Sequence, residues 1–188
     1  MKNPTIKMIT RSALLLALCV VLQLTLPTEL QAVKGPAVNI VLLMAAFSVS
    51  LPYAAAIAVI NPIFVLLISP PALMLICPQI VLTVMLGNAV FVICAGALKK
   101  FIMGIPGLVL ACLAKTGIMI LTITYFVIPV FGGGLAEAQV TAAQASFGIG
   151  QLSTAAIGSA IFFVCWQVIK KVISQKDAEK AEKAKQDA

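Results

Sequence analysis

Residues 35–98 read GPAVNIVLLMAAFSVSLPYAAAIAVINPIFVLLISPPALMLICPQIVLTVMLGNAVFVICAGAL, and no charged side chain interrupts them. A run of this length accommodates about three membrane-spanning helices of ~20 residues each. Turn segments containing Pro or Gly separate the apolar runs, and within the runs polar and apolar residues do not alternate. Because lipid leaves backbone groups without water partners, the runs are predicted to be α-helices and not barrel strands.

The composition extends this prediction to the whole chain. Of its 188 residues, 62% are hydrophobic and 10% are charged, and the mean hydropathy is +1.12. That leaves too little polar surface to enclose a water-soluble core. We therefore predict an all-α integral membrane protein. Residues 1–173 are expected to form a six-transmembrane-helix bundle, and residues 174–188 a charged cytoplasmic C-terminal tail.

The positive charge is distributed as an orienting signal. The formal net charge is +7, and the basic residues concentrate before Ser12, at Lys99-Lys100 and in the tail. With six spans all three clusters fall on one side, which the positive-inside rule identifies as the cytoplasm. Both termini are therefore predicted to be cytoplasmic, and the clusters are not the patch that nucleic-acid binding would require.

The residue types present argue against catalysis and metal binding. The chain has no His, which removes the commonest metal ligand and the commonest general base. Its cysteines show no CxxC spacing and are interpreted as small packing residues; they are Cys19, Cys77, Cys94, Cys112 and Cys165. A membrane enzyme would need an acid, base or nucleophile pair. We therefore expect no enzyme activity, no metal and no cofactor.

Lys115 is the one charged residue inside the predicted spans. It lies between Pro106 and Pro129, about 13 Å along a helix from one end at ~1.5 Å per residue. A Lys at that depth costs about 2.5–3.5 kcal/mol and usually faces the bundle interior or a wet cavity. Two interpretations stay open: the ammonium binds an anionic group of a ligand, or it snorkels or contacts backbone carbonyls. Thr122 follows Lys115 by seven residues and shares its helix face.

Further candidate substrate-binding residues are amides in apolar runs. The sixth run places Thr141, Gln144, Gly148 and Gln151 on one stripe at spacings of three and four, facing either a cavity or a neighbouring helix. Gln79 and Asn88 are nine positions apart, so both can line one pocket only if Pro78 bends or ends the helix. Asn39, near the outer end of the second helix, completes the candidate set with Lys115, Thr122, Gln79, Asn88, Gln144 and Gln151.

A predicted loop and a predicted kink lie near these candidates in the sequence. Residues 27–36 are predicted to be an outer loop that covers the site or is a plain surface loop, followed by a helix over Val38–Ser50. The loop contains Glu29, Gln31, Lys34 and Gly35. Asn61-Pro62 lies in the middle of the third run, where Pro cannot donate a backbone hydrogen bond. A kink is expected there, which either shapes a cavity or is compensated by neighbouring helices.

Ala13 and Ala17 form a small-xxx-small pair early in the first helix, where another helix can approach closely. With this pair, six short helices in under 200 residues and a polar outer loop, residues 11–171 resemble the S component of an energy-coupling-factor (ECF) vitamin transporter. The sequence Gly35-Pro-Ala-Val-Asn39 and the Gly87-Asn88 pair are also similar to such subunits.

The resemblance implies a function in uptake across a prokaryotic plasma membrane. The first three helices would dock through Ala13 and Ala17 on a transmembrane coupling subunit that carries two ATPase subunits. The substrate, a vitamin or related small micronutrient, would bind in the outer half between the fourth, fifth and sixth helices. Lys115 favours an anionic substrate. A thiamine-type cation is disfavoured, because Trp166, the only Trp, lies at the inner end.

Two other classes of protein stay open. A small secondary transporter would be expected to contain inverted repeats with broken helices. Asn61-Pro62 and Pro78 hint at breaks, but the sequence has no matching halves. A structural subunit of a membrane complex would explain the small residues Ala13 and Ala17. It would leave the stripe with Gln144 and Gln151 without a role. A tightly held metabolite released on denaturation would favour the binding subunit over both.

Overall fold

The computed structural model describes residues 4–26, 30–98 and 105–186, and every regular element in these ranges is helical. The α-helices are α1 Pro4–Thr25, α2 Gln31–Ser48, α3 Leu51–Ile68, α4 Ala72–Ile76, α5 Ile80–Leu98, α6 Ile105–Thr122, α7 Ile128–Phe131, α8 Glu137–Gln144 and α9 Gly150–Gln186. Two π-helical turns continue the path of the chain, Ile123–Val127 between α6 and α7 and Ala145–Ile149 between α8 and α9.

Within the described residues, six helical stretches are long and apolar enough to cross a membrane, as the composition predicts. In chain order, as spans 1 to 6, they are Thr5–Thr25, Gln31–Ser48, Leu51–Ile68, Ile80–Leu98, Ile105–Gly134 and Glu137–Val172. Large apolar side chains such as Leu14, Leu67, Leu75 and Val164 are exposed on the outside of the bundle. Such a surface suits lipid, and would be a liability in water.

Span 1 lies at the periphery of the bundle. In its most apolar stretch 11% of the residues are buried, against 50% in spans 2, 4 and 5. Ala13 and Ala17 are both exposed on this helix. The most extensive helix contacts are α5 with α6, α2 with α9 and α3 with α5. The first helix is therefore the one with most surface left for another protein or for lipid.

Glycines set the close crossing of α2 and α9. A Cβ added at Gly158 would lie 2.8 Å from the carbonyl oxygen of Pro36 and 2.9 Å from the Cβ of Asn39. One added at Gly35 would lie 2.7 Å from Cγ2 of Thr154. Carbon atoms in contact prefer ~3.5–4.0 Å, so these positions have no room for a side chain. Close backbone approach through small residues is the usual source of helix association in lipid.

The second helix begins seven residues earlier than predicted, at Gln31 and not at Val38. The Gly35-Pro36 pair indicates a loop, but the fixed φ of Pro also fits a helix. The missing N–H of Pro36 leaves the carbonyl of Ala32 without its helical donor, and Ala32 is exposed where other donors can reach it. Gln31, Lys34 and Gly35 are thus helical residues.

The predicted fourth run consists of two pieces. Helix α4 ends at Ile76, and α5 starts at Ile80 after the segment Cys77–Gln79. The N–H of Ile80 donates to the carbonyl of Cys77 at 3.1 Å, which closes a turn around Pro78. Gln79 therefore precedes the helix that carries Asn88.

The buried apolar side chains form two clusters. The larger unites residues of α1, α2, α3, α5, α6 and α9 around Leu42, Phe91 and Phe162. The smaller surrounds Met119 and Ile123. It lies near the glycine-rich segment Gly132–Gly134, which ends span 5 and leads into span 6. The polar cavity described below borders both clusters.

The predicted orientation is tested by labelling a single cysteine. Lys99-Lys100 and Glu29, which enter the orientation argument, lie outside the described residues. Gly133 is exposed, and a Cβ added there would have no neighbouring atom within 4 Å. In a cysteine-free background, Gly133→Cys is expected to react with an impermeant maleimide on intact cells, because span 5 should end outside. Ser50→Cys, in the turn between spans 2 and 3, should react only after permeabilisation. The reverse pattern would contradict cytoplasmic termini.

Candidate binding site

A polar cavity lies at the end of the bundle where the chain connects spans 1–2, 3–4 and 5–6. Its volume is about 80 Å³, several times the ~10–15 Å³ that one ordered water requires. Every span contributes at least one polar side chain; these are Gln23, Gln31, Lys34, Asn39, Asn61, Asn88, Lys115 and Gln151. The resemblance implies a site among spans 4 to 6, whereas this cavity also draws on spans 1 to 3.

Lys115 is held inside the bundle. Its side chain is 2% exposed, and Nζ donates a hydrogen bond to Oδ1 of Asn39 at 2.7 Å. Nζ also lies 5.2 Å from the centre of the Phe91 ring, within the range of a cation–π contact. An ammonium group has three donors, and the side chain lines the cavity. The interpretation that Lys115 snorkels to the membrane surface is therefore wrong in this structure.

Two lysines are among the described lining residues of the cavity. Lys34 is 4% exposed and lines the cavity together with Lys115, and no carboxylate is among the described lining residues. The chain has six Asp and Glu in all, of which Glu137 is exposed at the start of α8. Within the described ranges there is no group of three or more His, Cys, Asp or Glu that would hold a metal ion. The site is suited to an anion rather than to a cation.

Amide side chains supply the remaining polarity. Asn39, Asn61 and Asn88 are each buried, and together with Gln151 they offer both donors and acceptors. Gln151 donates from Nε2 to the carbonyl of Ser146 at 3.3 Å. Oδ1 of Asn61 is buried and accepts no hydrogen bond from the described residues. A buried acceptor left in this state is costly, so it is a natural position for a donor from a bound molecule.

The structure brings four of the seven sequence-predicted binding residues to the cavity, namely Lys115, Asn39, Asn88 and Gln151. The other three do not line it. Thr122 is buried on the face of Lys115, but its Oγ1 donates to the carbonyl of Ile118 at 2.6 Å. Gln79 lies before α5, and its Oε1 accepts from Sγ of Cys77 at 3.6 Å.

Gln144 is separated from Gln151 by the π-helical turn Ala145–Ile149. The predicted stripe assumes 3.6 residues per turn throughout. A π-turn closes i→i+5 hydrogen bonds and so holds more residues than an α-turn. Residues before it are therefore rotated relative to those after it, and Gln144 does not join Gln151 at the cavity.

Sequence reasoning does not assign four of the eight polar lining residues to the site, namely Gln23, Gln31, Lys34 and Asn61. For Asn61 it predicts only a kink, although an Asn in the middle of an apolar span is itself a signal of a polar partner. Lys34 is predicted to lie in the outer loop of residues 27–36, which either covers the site or is a plain surface loop. The helical start of α2 at Gln31 brings Lys34 into the cavity wall.

Comparison of the chain with protein-family models, with curated proteins and with solved structures gave no match.

Proposed function

We propose that this chain is the substrate-binding membrane subunit of an ECF-type importer for a vitamin or related small, anionic micronutrient. One observation carries the proposal: the buried ammonium of Lys115 lines a polar cavity and has a neutral amide, Asn39, as its hydrogen-bond partner. The resemblance of residues 11–171 to S components supplies the class of transporter.

The energetics favour an anion from outside the chain. Burying an ammonium without a counter-charge is expensive, and one amide dipole compensates it only in part. The carboxylate of a substrate would complete the ammonium's coordination and neutralise its charge. Charge-assisted hydrogen bonds of this kind are roughly twice as strong as neutral ones. The cost of placing Lys115 in the bundle is then recovered only when an anion binds, which gives the cavity selectivity by charge.

The alternative of a small secondary transporter has less support. Such proteins are expected to carry their sites on broken helices. Helix α3 continues through Asn61-Pro62 from Leu51 to Ile68, and the break at Cys77–Gln79 has no described counterpart in a second half of the chain. A purely structural subunit would leave the buried ammonium of Lys115 in a polar cavity without a role.

The binding function is tested by identifying what the protein holds. The chain, purified in mild detergent from cells grown in rich medium, is expected to release one anionic metabolite on denaturation, detectable by mass spectrometry. Recovery of that metabolite at close to one equivalent, and its absence from a Lys115→Met preparation, is the expected result. A wild-type preparation that carries no small molecule and takes up none from a vitamin mixture would contradict the proposal.

Docking is tested on the exposed face of α1. Ala13→Leu with Ala17→Leu is expected to abolish uptake of the metabolite in cells that contain the energising subunits, because close helix approach tolerates little beyond a methyl group. Binding of the metabolite to the purified variant should be unchanged. The matched control is Ala156→Leu with Ala160→Leu, an equally spaced exposed pair on α9. Normal uptake by the Ala13/Ala17 variant would mean that the docking face lies elsewhere.

A further inference from the structure

A second, larger cavity opens on the side of the bundle next to the polar one. This lateral crevice lies between the start of α2, helix α4 and the π-helical turn that leads into α9, and its volume is about 710 Å³. It shares four lining residues with the polar cavity: Gln31, Pro71, Phe147 and Gln151. The two spaces are therefore neighbours along one wall of the bundle.

Their sizes suit different parts of one molecule. The polar cavity of about 80 Å³ has space for a few heavy atoms, such as those of a carboxylate. Sites for whole small molecules usually measure about 300–1,000 Å³, a range that includes the 710 Å³ of the lateral crevice. A vitamin-sized anion is larger than the polar cavity, and the crevice is the adjacent space available for the rest of such a molecule.

The chemistry of the lateral crevice differs from that of the polar cavity. Its described lining carries no charged side chain. Apolar contact comes from Leu73, Phe147 and Ile157, while Ser146 and Ser153 add hydroxyls. A weakly polar molecular body matches this mixture, and a second charged group does not.

Asn61 favours a substrate that carries a hydrogen-bond donor close to its anionic group. It is 2% exposed, lines the polar cavity, and its Oδ1 has no hydrogen-bond partner among the described residues. An acceptor in this position is satisfied by an O–H or N–H of a ligand bound at Lys115. A substrate with such a donor gains a hydrogen bond that an analogue without it lacks.

We propose that the substrate is an amphipathic carboxylate: its anionic head contacts Lys115, a hydroxyl or N–H near that head donates to Asn61, and a weakly polar body fills the lateral crevice. This inference rests on the proposed function as an anion-binding subunit and adds the substrate class. It also gives Lys115, Asn61 and the lateral crevice separate roles. Each role can be removed by its own substitution.

The test uses four probes on the full chain in lipid nanodiscs, with affinities measured by calorimetry. Phenyllactate has the head, the donor and the body. Phenylpropanoate lacks the hydroxyl, lactate lacks the body, and phenyllactamide lacks the charge. Phenyllactate is expected to bind at least about tenfold more tightly than each of the others, which corresponds to ~1.4 kcal/mol per feature.

Three variants assign each advantage to its region. Asn61→Leu should equalise phenyllactate and phenylpropanoate, and since it removes an unsatisfied polar atom it should not lower the melting temperature. Ser153→Trp, which fills the lateral crevice, should equalise phenyllactate and lactate. Lys115→Met should equalise phenyllactate and phenyllactamide. The control Ile161→Trp, at an exposed position of α9 outside both cavities, should change none of the ratios.

The outcomes distinguish failure of the proposed substrate class from failure of the anion site itself. If lactate and phenyllactate bind equally and both depend on Lys115, the amphipathic substrate is overturned while the anion site stands. The same holds if the phenyllactate advantage survives Ser153→Trp. If no carboxylate binds in a manner that depends on Lys115, the anion site of the proposed function is overturned as well.

Discussion

Lys115→Met is expected to weaken binding of the co-purified anionic metabolite by about 2–5 kcal/mol, the usual scale for truncating one partner of a desolvated charge pair. In affinity this is roughly thirtyfold to several thousandfold. The reason is local: Lys115 is buried in the cavity wall, and the described lining contains one other positive side chain, Lys34. Calorimetry with the released metabolite measures the effect.

Two controls accompany this variant. Thr122→Val changes a buried residue on the same helix face whose hydroxyl is bonded to Ile118, so the affinity should stay within a few-fold of wild type. Melting of the ligand-free proteins tests folding. Lys115→Met removes a desolvation cost but leaves Oδ1 of Asn39 without its donor, and these opposing effects should keep the change in stability small. Unchanged affinity in a well-folded Lys115→Met protein would eliminate the anion site.

Gly158→Ala is expected to lower the free energy of unfolding by about 1–3 kcal/mol, the typical cost of overpacking a close contact. Its methyl group would meet the backbone oxygen of Pro36 at 2.8 Å and Cβ of Asn39 at 2.9 Å. Backbone cannot move aside as a flexible side chain can, so α2 has to shift away from α9. Because Asn39 bonds to Lys115, the shift should also weaken ligand binding. Thermal unfolding in detergent and calorimetry measure the two effects.

Gly117→Ala is the matched comparison. It also replaces a helical glycine of a span, but an added Cβ there has no neighbour within 4 Å. Ala is the better helix former by about 0.8–1.0 kcal/mol, so this protein should be as stable as wild type or more so. Equal stability of the two alanine variants would show that α2 and α9 do not cross as closely as described.

For Lys115 the sequence leaves both a snorkelling and a cavity-facing side chain open, and the structure shows that it is buried. The number of spans does follow from the sequence, since it depends on the length and hydropathy of the apolar runs. The start of α2 does not follow from the sequence. A Gly-Pro pair ordinarily signals a loop, but here Gly35 is needed for contact with Thr154 on a helix more than a hundred positions later. A tertiary contact therefore overrides the local preference for a loop, and the local sequence does not predict that contact.

The composition of the site is predictable only in part for the same reason. Lys115 and Asn39 are 76 positions apart, and their hydrogen bond depends on the packing of spans 2 and 5. That Asn39 would pair with Lys115 could be inferred only if the cavity were known to exist. The unpartnered Oδ1 of Asn61 is equally a property of the assembled bundle, as far as the described residues define it. Residue type indicates which side chains need partners, and the fold decides which partners they find.

The π-helical turn Ala145–Ile149 determines how the chain tolerates insertions and deletions. One residue corresponds to about 100° of rotation in an α-helix, so deleting one residue inside this turn would allow it to become ordinary α-helix. Helices α8 and α9 would then keep their relative rotation, because a π-turn holds one residue more than the α-turn that would replace it. In a chain one residue shorter at this point the two glutamines would be six positions apart, about 240° around an α-helix, so Gln151 would still reach the cavity without Gln144.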